Sequence, residues 1–232
     1  MNHTNKSSLN YLLVMPRLVE CIGDGYVFPL GMSYISSSMK GEGFNVYTVN
    51  LSHKEEEPYD VLKSLIEEHQ IDVVGTGGLS PQYHMVKNVI ESVKKINPEI
   101  ITIVGNSIIS ADPEIGMEAL KYADYGIIGE GEISMNELCH ALESGKNVSE
   151  VKGIIYRDEN SYVKTPVRTA TVNVDKLPWA DYDGFDIEKY LECPPAGFAG
   201  LSKGKQLPML SSRSCPYRCT FCYHPHGNKF RE

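Results

Sequence analysis

Apolar residues recur along the first two thirds of the chain in two alternating textures. Short continuous runs stand at Tyr11–Met15 (YLLVM), Asn45–Asn50 (NVYTVN), Asp72–Gly75 (DVVG), Ile100–Val104 (IITIV) and Tyr125–Ile128. Between them lie longer stretches with apolar residues at helical spacing. Pro29 to about Lys40 predicts a helix with proline in its first turn, stopped by Gly41 and Gly43. Tyr59–Gln70 carries Val61, Leu62 and Leu65, and Gln82–Ile96 carries Met85, Val89, Ile90 and Val93 on one face. Pro113–Tyr122 and Ile133–Leu142 complete the helices. Runs that are apolar on both faces need cover on both sides, which helices on a parallel sheet provide. The pattern predicts an α/β fold: a doubly wound, five-stranded parallel sheet of the flavodoxin-like or Rossmann-like kind.

After Gly145 the texture changes. Gly153–Tyr156 and Tyr162–Thr165, split by Arg157–Ser161, predict a small hairpin. Leu177–Tyr190 mixes aromatics, aspartates and prolines without a period, so it reads as an ordered linker. Its Trp179, Tyr182 and Phe185 are expected to lie on apolar surface. Leu207–Leu210 predicts one more strand, running towards a cysteine cluster. The expected organisation is an α/β domain over 1–146, a hairpin and linker over 147–205, and the start of a further domain over 206–232.

Composition narrows the function classes. With 41% apolar and 22% charged residues the chain has a globular balance. Its net charge of −8, from 22 Lys+Arg against 30 Asp+Glu, argues against a nucleic-acid binder that works by neutralising phosphates. No stretch approaches the roughly 20 apolar residues of a membrane span. Met1–Asn10 is polar and lacks the apolar core of a signal peptide. A soluble, cytoplasmic protein is expected. Of the six cysteines, Cys21, Cys139 and Cys193 are scattered and read as incidental, whereas Cys215, Cys219 and Cys222 fall within eight residues.

That cluster, within SCPYRCTFCY, has the spacing C-x3-C-x2-C. Three thiolates this close can hold one metal centre, and thiolate is the ligand that iron–sulfur clusters take. Structural zinc is the alternative, with His224 or His226 as a fourth ligand. With Phe221 just before the last cysteine, the motif resembles the signature of radical S-adenosylmethionine enzymes. The resemblance implies that Cys215, Cys219 and Cys222 hold three irons of a [4Fe–4S] cluster. The fourth iron is left for S-adenosylmethionine, and Phe221 packs on the adenine side. It also implies a reductant such as flavodoxin or ferredoxin, and a small-molecule or natural-product-like substrate. The longer stretch SSRSCPYRCTFCYHPHG is similar to the subgroup that includes the anaerobic cyclases of chlorophyll synthesis. His224 reads either as a substrate-side group or as a polar residue of an exposed loop.

Parallel α/β sheets bind ligands at the carboxyl ends of their strands. The loops there are Arg17–Phe28, Thr76–Gln82 (TGGLSPQ), Gly105–Ser110 (GNSIIS) and Gly129–Glu132 (GEGE). Their glycines let a large flat ligand approach the backbone. No G-x-G-x-x-G follows the first strand, and no Walker-type lysine loop is present. Placed ahead of the cysteine motif, this domain resembles the cobalamin-binding domain of cobalamin-dependent radical S-adenosylmethionine enzymes. PLG at Pro29–Gly31 matches the start of that family's first helix. Gly77, Gly78, Leu79 and Ser80 fall at its Ser-x-Leu element. Gly105 and Asn106 fall where a Gly-Gly pair is usual, Asn106 being a departure. Gly129, Glu130 and Gly131 match a turn that adjoins the cofactor's nucleotide tail. The Asp-x-His-x-x-Gly element of many cobalamin proteins is absent, since Arg17–Phe28 contains no histidine. His53 and His84 read as surface residues of other loops. The resemblance therefore implies cobalt with neither a protein histidine nor the cofactor's own base beneath it.

The function so implied is that of a cobalamin-dependent radical S-adenosylmethionine enzyme, methyltransferase-like or cyclase-like. Its reactions are radical methylation, cyclisation or rearrangement. A catalytic barrel needs on the order of 200 further residues after the cysteine loop. The 232 residues are thus expected to be a truncated portion, ending within the barrel's first strand and cluster loop and competent for cofactor binding alone. A non-catalytic cobalamin carrier or sensor and a zinc-stabilised α/β interaction domain are the alternative readings.

Overall fold

A computed structural model describes residues 8–17, 27–158, 161–168, 173–192, 205–213, 217 and 219–221. Five strands alternate with helices: β1 (Asn10–Met15), α1 (Leu30–Gly41), β2 (Asn45–Asn50), α2 (Pro58–His69), β3 (Val73–Gly77), α3 (Tyr83–Ile96), β4 (Ile101–Gly105), α4 (Ser107–Ser110), α5 (Pro113–Ala119), β5 (Tyr125–Ile127) and α6 (Gly131–Ser144). The sheet order begins β2-β1-β3-β4-β5, all parallel, which is the flavodoxin-like order. The switch point lies between β1 and β3, where successive crossovers leave for opposite faces.

Strand β1 shows why the sheet is doubly covered. Tyr11 and Leu13 enter one core, beneath α1 and α6, with Met39, Ile103, Met135 and Leu138. Leu12 and Val14 enter a second, beneath α2 and α3, with Leu62, Ile66, Val89 and Val93. Alternate residues of one strand thus serve two layers, and burying both faces supplies most of the driving force for folding.

The helix expected over 113–122 is shorter, ending at Ala119, and the single turn α4 precedes it. Asp112 caps α5 by accepting from the Ile115 amide, with Pro113 in the first turn.

The hairpin does not stand apart from the sheet. β6 (Ile154–Asp158) pairs antiparallel with β5, and β7 (Ser161–Lys164) with β6, giving seven strands rather than five. Ile154 and Ile155 are both fully buried, so this strand needs cover on both faces and finds it on the sheet edge. Gly126 permits the approach, because a Cβ there would stand 2.7 Å from Ile155 Cγ2. Arg157 then stitches the edge, donating from Nε to the Ala123 carbonyl at 2.9 Å and from Nη2 to the Leu120 carbonyl at 3.0 Å.

The expected linker packs over α1 and the β2 edge and contains a short helix, α7 (Ile187–Leu191). Phe185 is fully buried, and the Tyr182 ring stacks on Phe28 at 5.6 Å. Asp181 accepts from Ser36 Oγ at 2.5 Å and Lys40 Nζ at 2.7 Å on α1, which outweighs the cost of its burial and holds its carboxyl below the usual range. Trp179, expected on apolar surface, is instead 74% exposed. The strand expected at Leu207–Leu210 does not form: residues 205–213 have no regular structure. A strand needs a neighbour for its backbone groups, and none of the seven runs beside this segment.

Candidate functional site

The carboxyl ends of β3, β4 and β5 form one rim. Gly77 and Gly105, the last residues of β3 and β4, are register partners. A Cβ on Gly77 would stand 2.8 Å from the Gly105 carbonyl oxygen, so glycine is needed for the two strands to end side by side. A Cβ on Gly105 would meet only Ile127 Cβ, at 3.7 Å, leaving room at that point. Gly78 lies against Gln82 and Val86, where a Cβ would be 2.8 Å from Gln82 Oε1. Gln82 Oε1 also accepts from the amide of Leu79, itself half exposed, and Ser80 opens the short turn Ser80–Gln82.

Hydrogen bonds tie these loops together. The Ile108 amide donates to the Gly78 carbonyl at 3.2 Å, and the Gly129 amide donates to Ser110 Oγ at 2.9 Å. These two bonds bridge the three loops. Asn106 has φ 69° and ψ −168°, backbone that glycine adopts most readily, and its side chain accepts from the Ser107 amide at the start of α4. The departure from a Gly-Gly pair thus sits in glycine-like geometry. Gly129 has φ 83°, and nothing lies within 4 Å of where its Cβ would be. Gly131 begins α6 against α1, since a Cβ there would reach 2.7 Å from Ile35 Cδ1.

Beside the Gly129–Gly131 turn lies a charged cluster of which the sequence pattern singled out only Glu130. Glu132 is only 3% exposed. Arg213 Nη2 donates to Glu132 Oε1 at 2.5 Å, Arg213 Nη1 stands 3.7 Å from Glu130 Oε1, and the guanidinium lies over the Tyr34 ring at 5.3 Å. Burial works against the Arg213 charge, but the two carboxylates outweigh it and hold the guanidinium protonated. The signal missed was the Arg two residues before Cys215 together with the paired acids of GEGE.

His53 is buried, not the surface residue expected, because the linker covers it. Its Nδ1 lies 3.4 Å from Asp186 Oδ2, and Lys189 donates to its backbone carbonyl. Burial lowers its pKa, with Asp186 opposing. His84, on the first turn of α3, has its ring centroid 5.1 Å from that of Tyr83.

Cys139 is fully buried in α6, where burial pushes its thiol up. Cys219 is exposed and Phe221 is 91% exposed. Cys215, Cys222, Cys21, Cys193, His224 and His226 lie outside the described residues. Among the described residues no group of three His, Cys, Asp or Glu side chains could hold a metal ion. No helix among them is long and apolar enough to cross a membrane.

A flavodoxin-ordered sheet with a glycine rim at its carboxyl edge defines a doubly wound α/β domain. The chain belongs to the B12-binding domain family, which matches residues 21–139. It is 26% identical over 222 residues to an uncharacterized methyltransferase of Pyrococcus horikoshii, covering 92% of this chain and 45% of that protein. It is 25% identical over 201 residues to the anaerobic magnesium-protoporphyrin IX monomethyl ester cyclase of Rubrivivax gelatinosus, covering 84% of this chain and 34% of the cyclase. The chain thus spans between a third and a half of these relatives. Its fold matches the cobalamin-dependent S-adenosylmethionine radical enzyme OxsB with aqua-cobalamin and S-adenosylmethionine bound. The TM-score is 0.75 at 24% identity, covering 96% of this chain and 29% of that one. The resemblance to cobalamin-dependent radical S-adenosylmethionine proteins drawn from the sequence is borne out at the level of family and fold.

Proposed function

We propose that this chain holds cobalamin on the rim formed by Gly77–Ser80, Gly105–Asn106 and Gly129–Gly131, within a radical S-adenosylmethionine enzyme acting on a small molecule. The observation that carries this reading is the rim itself, in a chain of the B12-binding family. Three hydrogen-bonded loops lack side chains at Gly105 and Gly129, where a bulky ligand needs close access to backbone. The residues therefore fit the group. Residues 17–28 hold no histidine, and His53 is covered by the linker, so neither offers cobalt an imidazole.

Cys215, Cys219 and Cys222 are the thiolates for a [4Fe–4S] cluster, whose one open iron is the place for S-adenosylmethionine, with Phe221 beside the adenine. When bound, the cluster supplies single electrons from a ferredoxin- or flavodoxin-like donor and cobalamin supplies a cobalt that carries methyl groups. The chain's own residues do the positioning: thiolates fix three irons, and the glycine rim admits the corrin and its tail. A reducing, cytoplasmic setting suits exposed thiols such as Cys219.

Anaerobic reconstitution with iron, sulfide and hydroxocobalamin tests the reading. Iron and acid-labile sulfide near four each per chain, with one cobalamin, are expected. Stoichiometric zinc that resists replacement by iron would contradict it.

A further inference from the structure

We propose that Arg213 is a positioning residue: gripped by Glu132 in the first turn of α6 and by Glu130 just before it, and laid over Tyr34 on α1, it fixes where the chain enters the cysteine motif relative to the cofactor rim. This rests on the cluster assignment above for its consequence, but not for its geometry. Residues 205–213 carry no strand or helix, and Leu207, Met209 and Leu210 are 46–64% exposed. Apolar burial is therefore a weak anchor for this segment, and polar contacts hold it. At one point Tyr182 Oη donates to the Pro208 carbonyl at 2.8 Å, and that tyrosine stacks on Phe28 just before α1. At the start of the segment Lys205 Nζ lies 3.9 Å from Glu188 Oε2, and at its end Arg213 reaches a carboxylate 81 residues away in sequence.

The Arg213 contact has features of a latch. Glu132 is nearly inaccessible, and a buried carboxylate left without a cation is costly. Arg213 uses two nitrogens on two carboxylates at the start of α6, which the compact ammonium of lysine cannot do in the same geometry. The Tyr34 ring beneath the guanidinium restricts it further. Cys215 follows two residues later. Because Glu130 and Gly131 belong to the rim turn itself, Arg213 ties the chain to the cofactor rim two residues before the motif begins.

Hydrogen exchange read by mass spectrometry on the cofactor-free chain tests this. Arg213→Gln alone leaves Glu132 buried without its cation and risks misfolding. The paired variant Arg213→Gln with Glu132→Gln removes both charges and keeps the shapes. Exchange over 205–213 should then rise by about tenfold or more, with α6 and the sheet unchanged. Arg213→Lys should fall between. Once reconstituted, the paired variant should lose its cluster several times faster than the parent. Unchanged exchange over 205–213 in the folded paired variant overturns the proposal, as does faster exchange spread evenly through α6 and the sheet. Equal rates of cluster loss overturn the positioning role. A parent chain that takes up no iron counts against the cluster assignment, which the exchange result does not depend on.

Discussion

Gly77 and Gly105 end adjacent parallel strands as register partners, yet they are glycines for different reasons. A side chain on Gly77 would strike the Gly105 carbonyl at 2.8 Å, whereas one on Gly105 would meet nothing nearer than Ile127 Cβ at 3.7 Å. The first keeps the strands together, and the second leaves space open at the rim.

The two positions should therefore separate stability from binding. Gly77→Val should lower stability by roughly 1–3 kcal/mol, because backbone must give way. Gly105→Leu should fold with near-parental stability and lose cobalamin affinity by tenfold or more. Thermal unfolding by circular dichroism and titration with hydroxocobalamin read the two effects. Loss of stability without loss of binding at Gly105 would count against the site.

Asn106 occupies glycine-like backbone at φ 69° and also caps α4 through its side chain. Asn106→Ala loses the cap and keeps the strain, so it should cost about 1–3 kcal/mol. Asn106→Gly relieves the strain as it loses the cap and should lie close to the parent. Urea unfolding of the two variants gives the comparison, and equal losses would refute the backbone argument.

The thiols divide by burial. Cys139 is fully buried with its thiol pushed up, so iodoacetamide should leave it unmodified in the folded chain while Cys219 reacts. Cys139→Ala should keep iron after reconstitution, whereas Cys215→Ala, Cys219→Ala and Cys222→Ala should each lose it. Peptide mapping after alkylation and iron analysis check both halves.

His53 makes stability depend on pH. Burial lowers its folded pKa, with Asp186 opposing and Lys189 and Lys54 assisting. In the unfolded chain it binds a proton near its ordinary value of about 6.5. Below that pH the unfolded state holds more protons, so stability is full above about 6.5 and falls as pH drops towards the folded value. His53→Gln should flatten the slope between pH 7 and 5, by at most about 1.4 kcal/mol per pH unit. An identical slope in the variant would assign the effect to other groups.

Much of this was legible in the chain because local pattern and tertiary need agreed. β2 falls at Asn45–Asn50 as its apolar run predicts, and α3 and α6 follow their apolar stripes. The glycines of the rim were legible because only their residue type is needed there. What was not legible depends on partners distant in sequence. The hairpin's place on the β5 edge rests on Gly126 facing Ile155, and His53 is buried only because Asp186 and Lys189 return over β2. The expected strand at Leu207–Leu210 had suitable residues but no neighbouring strand. Arg213 and Glu132 are unremarkable as residue types, and their meeting 81 positions apart is a tertiary fact.

The central claim is that the glycine rim of this chain binds cobalamin. Isothermal titration of the folded 232-residue chain with hydroxocobalamin reads it directly. The expected result is one cobalamin bound per chain, abolished or strongly weakened in Gly105→Leu. A folded parent chain that binds no cobalamin, or binds it equally well as Gly105→Leu, would contradict the account.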